Sequence, residues 1–173
     1  MHVTDKSYES VNCCIRCGSS LTLEYDREDK LRPHCTSCGW IYYKNPVPAV
    51  ACIILNSAAD KIVVIKRKFE PNAGQWALPS GYIDINQHPE ETAVAEMKEE
   101  TGLDGEIKEY LGFYSGYSPI YEQIISHGFL MKIKGGELQA GDDAVDAYFA
   151  QLDNLPPIPF LAHKHYINMI KNR

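Results

Sequence analysis

The chain has 173 residues, 45% of them apolar and 23% charged, with a formal net charge of −6. That allows one domain with a real core plus a small appendage, in the composition range of soluble globular proteins. The acidic balance argues against a sequence-independent nucleic-acid binder, which needs a basic surface. It does not argue against an anionic substrate, because bound cations reverse the local sign. No apolar run is long enough for a membrane-spanning helix. The opening residues lack the basic and apolar regions of a signal peptide, so the expected location is cytoplasmic, with no membrane partner.

In chain order, residues 1–12 are polar and expected to be loosely ordered. Two CxxC motifs follow, Cys14/Cys17 and Cys35/Cys38, each with a glycine next in sequence, Gly18 and Gly39. The 17 residues between the pairs fit a hairpin with Leu21–Tyr25 as one arm. Four thiolates on two such turns close a tetrahedral Zn²⁺ site with no open position, which makes it structural. Cys13 reads as a spare thiol, and Cys52, inside an apolar run, as a small buried residue. Residues 1–40 are therefore expected to form a zinc ribbon, and 41–173 the second domain.

Asn45-Pro46 and Pro48 mark the boundary with extended geometry. Two runs rich in Val and Ile, Ala49–Leu55 and Lys61–Lys66, read as a hairpin or a pair of sheet strands. Arg67–Pro71 ends the second run, 72–75 is a turn, and Trp76-Ala77-Leu78 leads into a Pro-Ser-Gly turn. A helix is predicted from about His88 to Thr101, with Gly102 as its stop. Strands are predicted over Glu106–Tyr117, Gln123–Lys134 and Ala144–Leu152. A rigid connector, Pro156–Pro159, precedes a C-terminal helix over Phe160–Asn172. This is an α+β pattern.

The first helix carries Glu96, Glu99 and Glu100. Positions three and four apart are neighbours on a helix, so these carboxylates share a face and repel one another. A hard divalent cation, Mg²⁺ or Mn²⁺, is the natural compensation, because such ions take a few carboxylates together with substrate phosphates.

The stretch from Gly81 to Leu103 resembles a Nudix box: Gly81, then Glu96 before Met97, then Glu99-Glu100-Thr101-Gly102-Leu103, at the family spacing throughout. The Cys ribbon, Tyr43-x-Asn45-Pro46 and Trp76-Ala77-Leu78-Pro79 are similar to a bacterial and plant subgroup described as hydrolysing ADP-ribose, FAD or NADH-type dinucleotides. The resemblance implies a Nudix fold, a mixed β-sheet with flanking helices in an α/β/α sandwich, preceded by a small zinc ribbon. It implies a metal-dependent pyrophosphatase acting on a small-molecule nucleotide, with no nucleic-acid partner, and a possible homodimer through sheet edges near residues 40–50.

By the same resemblance, Glu96, Glu99 and Glu100 are the catalytic and Mg/Mn-binding residues, with the Gly81 carbonyl as a further ligand. The cation would neutralise the diphosphate and lower the pKa of an attacking water. Asp142 or Asp143 is a candidate proton acceptor. Arg67 could grip a phosphate, and Trp76, Tyr82, Tyr114 or Tyr117 could stack on a ring. His88 reads as a surface residue. His163 and His165, two apart, face different sides of a helix and make a poor metal pair. Two positions depart from the box: Gln87 replaces its first glutamate and Ala95 its arginine, which in the family orients the carboxylates and offsets their repulsion. Lys98 is a neighbouring cation, but near the opposite side of the helix from Glu100. Those gaps favour the alternative of a nucleotide-binding or regulatory domain that does not hydrolyse. A zinc-ribbon interaction module is a third reading.

Overall fold

The computed structural model describes residues 11–70 and 72–173. The expectation for residues 1–12 lies outside it over residues 1–10, as does Pro71. The chain divides into two compact units, Met1–Asn45 and Pro46–Arg173. No helix among the described residues is long and apolar enough to cross a membrane.

The first unit is a two-stranded antiparallel ribbon, β1 (Thr22–Tyr25) against β2 (Leu31–His34). Its two cysteine turns are built alike. Gly18 N–H donates to the Cys14 carbonyl at 2.8 Å, and Gly39 N–H to the Cys35 carbonyl at 2.9 Å. Both glycines have left-handed backbone, φ 74° and 73°, which a side chain would resist. The tip of the ribbon is tied by Asp26, whose carboxylate accepts Nε of Arg32 at 2.6 Å.

The second unit contains β3 (Val47–Ile54), β4 (Lys61–Arg67), β5 (Trp76–Ala77), β6 (Ser80–Tyr82), α1 (Pro89–Thr101), β7 (Leu103–Ser118), β8 (Glu122–Gly136), β9 (Ala144–Gln151) and α2 (Leu161–Lys171). These strands form two sheets. One has the order β6-β3-β8-β7, with β3 and β8 parallel and the other pairs antiparallel; the second is β5-β4-β9 and fully antiparallel. The apolar runs β3 and β4 are therefore not a hairpin. They lie in different sheets, joined by a single bridge between Leu55 and Ile62. Residues 49–51, at the end of the 40–50 stretch where a sheet edge was expected, pair with β6 on one side and β8 on the other.

Period-two alternation explains why both runs are apolar throughout. Ala51 and Ile53 of β3, with Ile62 and Val64 of β4, pack into a cluster with Ala162, Tyr166 and Ile167 of α2. Val50, Cys52 and Ile54, with Val63, pack into a second cluster with Ala93 and Met97 of α1. The two helices thus cover opposite faces, as an α/β/α sandwich requires. β7 begins at Leu103, directly after α1, rather than at Glu106. His88 is the N-cap of α1, and its backbone N–H donates to the Glu91 carboxylate at 3.2 Å in a capping box.

Gly102 ends α1 at φ 71°, and a Cβ there would lie 2.6 Å from the Glu137 carbonyl oxygen. Replacing Gly102 by Ala is expected to destabilise the protein by about 1–3 kcal/mol, from left-handed strain plus the clash. A shift of the denaturation midpoint to lower denaturant at unchanged m-value checks this.

Candidate active site

Three elements meet at the acidic face of α1. Glu96 and Glu100 point toward the Leu78–Gly81 turn that joins the two sheets. The Glu96 carboxylate rests against Gly81 so closely that a Cβ on that residue would fall 1.7 Å from Oε1. A side chain at position 81 and this placement of Glu96 are mutually exclusive. Glu100 is buried, and its Oε2 accepts the Ser80 N–H at 2.8 Å. Glu99, on the same helix, is exposed.

Two carboxylates held this way resist ionisation. Burial, then the charges of Glu99, Asp143 and Asp142, push Glu96 up to about 7. Burial also raises Glu100 to about 8; the Ser80 N–H opposes the rise, Glu96 adds to it and Arg67 opposes it. Asp142 and Asp143, the candidate proton acceptors, thus lie within electrostatic reach of Glu96. Cys52 lies behind the same pair and donates to the Ala93 carbonyl at 3.1 Å.

The cation missing at Ala95 is not supplied by Lys98, whose Nζ is engaged at the helix end by Asp104 at 2.8 Å and the Gly102 carbonyl at 3.1 Å. Arg67 is the positive group acting on Glu100, from the last position of β4. A register shift between Lys66 and Arg67 sets it there, a common device for aiming a side chain at a site. Gln87 serves the fold: its carbonyl oxygen accepts the Asp84 N–H and the Thr92 hydroxyl, each at 3.2 Å.

Beside the acids lies a cavity of about 380 Å³, walled by Arg67, Gly81, Tyr82, Tyr114, Tyr117 and Phe160 among others. Of the residues expected to touch substrate, Arg67, Tyr82, Tyr114 and Tyr117 line it. Trp76 does not; it packs edge-on against Tyr148 with centroids 4.9 Å apart. Phe160 and His163, both from the C-terminal helix region, line the cavity without having been singled out as substrate contacts. His165 is exposed while His163 is buried. Only the alternation of apolar residues in α2 hinted that part of that segment turns inward.

Both predicted metal centres can be tested against the donor sets. Sγ atoms of Cys14, Cys17, Cys35 and Cys38 all lie within 4.8 Å of one another, with Cys14–Cys38 at 3.6 Å and Cys17–Cys35 at 3.4 Å. Four sulfurs about 2.3 Å from a tetrahedral Zn²⁺ sit about 3.8 Å apart, so the set fits zinc. Cys13 is exposed and lies outside it. The glutamates do not close to 4.8 Å as a set of three. Glu96 and Glu100, brought together beside Gly81 and Ser80, are donors of the kind that such a cation takes together with substrate oxygens.

A family model for the NUDIX domain matches residues 45–171. The chain belongs to the Nudix hydrolase family. The ADP-ribose pyrophosphatase of Methanocaldococcus jannaschii is 45% identical over 116 residues, 65% of this chain and 68% of that protein. The NAD-capped RNA hydrolase NudC of Haemophilus influenzae is 26% identical over 156 residues. That match takes in 87% of this chain but 57% of NudC, so the Nudix chain spans little more than half the length of such relatives. A crystal structure of a Nudix hydrolase from Nitrosomonas europaea superposes with a TM-score of 0.81 at 26% identity, covering 94% of this chain and 92% of that one.

The raised carboxylates carry a stability consequence. Folded Glu96 and Glu100 keep protons that the unfolded chain loses from its ordinary 4.5 upward. Without added cations, stability is expected to fall as pH rises from about 4.5 to about 8. Thermal melts should show this slope, and Glu100→Gln should flatten it.

Proposed function

We propose that this Nudix chain hydrolyses the pyrophosphate bond of a nucleoside diphosphate derivative, ADP-ribose or an FAD- or NADH-type dinucleotide, in a reaction that needs Mg²⁺ or Mn²⁺. The observation that carries the reading is half-buried Glu96 pressed on Gly81, with buried Glu100 held by the Ser80 N–H, beside an aromatic cavity. The named relatives act on ADP-ribose and on NAD-capped RNA, which supports a nucleotide diphosphate as the substrate class.

In this reading Glu96, Glu100 and the Gly81 carbonyl hold the divalent cation, and Glu99, exposed on the same helix, adds negative charge beside them. When bound, the cation neutralises the diphosphate and lowers the pKa of water. Arg67 holds a phosphate oxygen and keeps the chain between the acids and the cavity. Tyr82, with Tyr114, Tyr117 and Phe160, receives a ring of the substrate and excludes water from it. Asp142 or Asp143 takes the proton of the attacking water. The water oxygen bonds to one phosphorus, the bridging P–O bond breaks, and a nucleoside monophosphate and a second phosphate ester leave. Positioning and electrostatics supply most of the rate in such chemistry. The four thiolates of the ribbon hold a structural Zn²⁺, and the protein acts in the cytoplasm.

Incubation with Mn²⁺ and ADP-ribose, FAD, NADH or an NAD-capped RNA should yield a monophosphate product from at least one. Glu96→Gln and Glu100→Gln should each lower kcat/KM by about 10²-fold or more. Ala95→Arg should raise turnover if the helix lacks only its own cation. Saturable nucleotide binding with no product at high protein would favour the non-hydrolysing reading instead. Elemental analysis should find about one zinc per chain, lost in Cys35→Ser together with the folding of the ribbon.

A further inference from the structure

We propose that His163 is a positioning residue that fixes the Leu78–Gly81 turn, and through it the acid-and-glycine site, from the far end of the chain. Its Nδ1 accepts the Leu78 N–H at 3.1 Å across 85 positions of sequence. Both partners are buried, Leu78 fully and His163 at 7% exposure.

Leu78 sits where the chain leaves β5 of one sheet and enters β6 of the other, so its N–H has no ladder partner. Pro79 has no N–H at all, and its carbonyl is taken by the Cys52 N–H at 2.8 Å. A buried amide with no acceptor is costly, and the imidazole supplies the acceptor. Two residues on, Ser80 gives its N–H to Glu100; three on, Gly81 receives Glu96. The turn has little slack. Moving Leu78 moves the donor that orders one carboxylate and the backbone against which the other rests.

The ring itself is held. His163 packs on Phe160 with centroids 5.0 Å apart, and Phe160 also carries the Arg67 guanidinium 5.7 Å over its face. Thus the first turn of α2 supports both the turn and the cation of β4. An acceptor at Nδ1 requires a neutral ring protonated on Nε2. Burial favours this, holding the ring down at about 3 with the Arg67 charge as a second cause. A purely structural role, satisfying one amide, would affect stability and nothing at the acids. The inference rests on the cation site proposed above, and its tests separate the two.

Asparagine places its Oδ1 near the position of Nδ1, and glutamine places its oxygen near Nε2. His163→Asn should therefore keep the Leu78 bond and His163→Gln should lose it. Mn²⁺ affinity, measured by electron paramagnetic resonance well below the melting temperature, should drop about tenfold or more in His163→Gln and be largely restored in His163→Asn. Leu78 amide exchange should accelerate in His163→Gln only. Equal Mn²⁺ affinity in folded wild type and His163→Gln overturns the positioning role. If the wild type binds no Mn²⁺, the cation reading fails by itself, and Leu78 exchange still decides the anchor. In the wild type, ¹⁵N shifts at pH 7 should show His163 Nδ1 unprotonated; a proton on Nδ1 overturns the anchor whatever the variants do.

Discussion

The approach of the Glu96 carboxylate to Gly81 is the constraint on which the rest depends. It requires glycine at position 81 and brings a second sheet's entry strand against α1. It also leaves Glu96 beside Glu100 in a partly buried place that neither acid would choose. Carboxylates concentrated this way raise one another's pKa and cost stability, so the arrangement persists only if surrounding structure over-determines it. The sandwich does so. Ala93, about one turn before Glu96, and Met97, next to it in sequence, are anchored against β3 and β8, and the Ser80 N–H fixes Glu100.

Stability and function pull in opposite directions here, and the fold separates them. The alternating faces of β3 and β4 form two apolar clusters, one under each helix. The cavity opens between the acidic edge of α1 and the start of α2. Arg67 is the cation that reaches this place from outside the helix. Its position at a register shift in β4 offsets part of the repulsion that the family arginine would otherwise address, and Ala95 leaves that task to it. Gln87, which carries no charge, accepts the Asp84 N–H and the Thr92 hydroxyl and so ties the approach to α1.

Much of this was legible in the sequence. The CxxC-Gly pairs dictate two equivalent turns, because ligand spacing and left-handed glycines leave few alternatives. Gly102 as a helix stop and the glutamate face of α1 follow from helical periodicity alone. What the sequence could not show was strand partnership. β3 and β4 read equally as a hairpin or as a pair of sheet strands, because two Val/Ile runs five residues apart have the same pattern whether they pair or enter different sheets. Trp76 looked like a stacking ring, since an aromatic residue before the turn is compatible with cavity or core; Tyr148, distant in sequence, decides for packing. His163 was legible only as one of two histidines facing different sides of a helix. Its partner is a backbone N–H 85 positions away, and backbone donors leave no mark in sequence.

The proposed reaction needs a divalent cation between Glu96, Glu100 and the Gly81 carbonyl. Anomalous diffraction at the manganese edge from crystals soaked in Mn²⁺ near pH 8 tests that most directly. It should give a peak about 2.0–2.3 Å from oxygens of both carboxylates, beside the Gly81 carbonyl. A saturated crystal with no manganese at this turn, or with manganese bound only elsewhere on the surface, would contradict it.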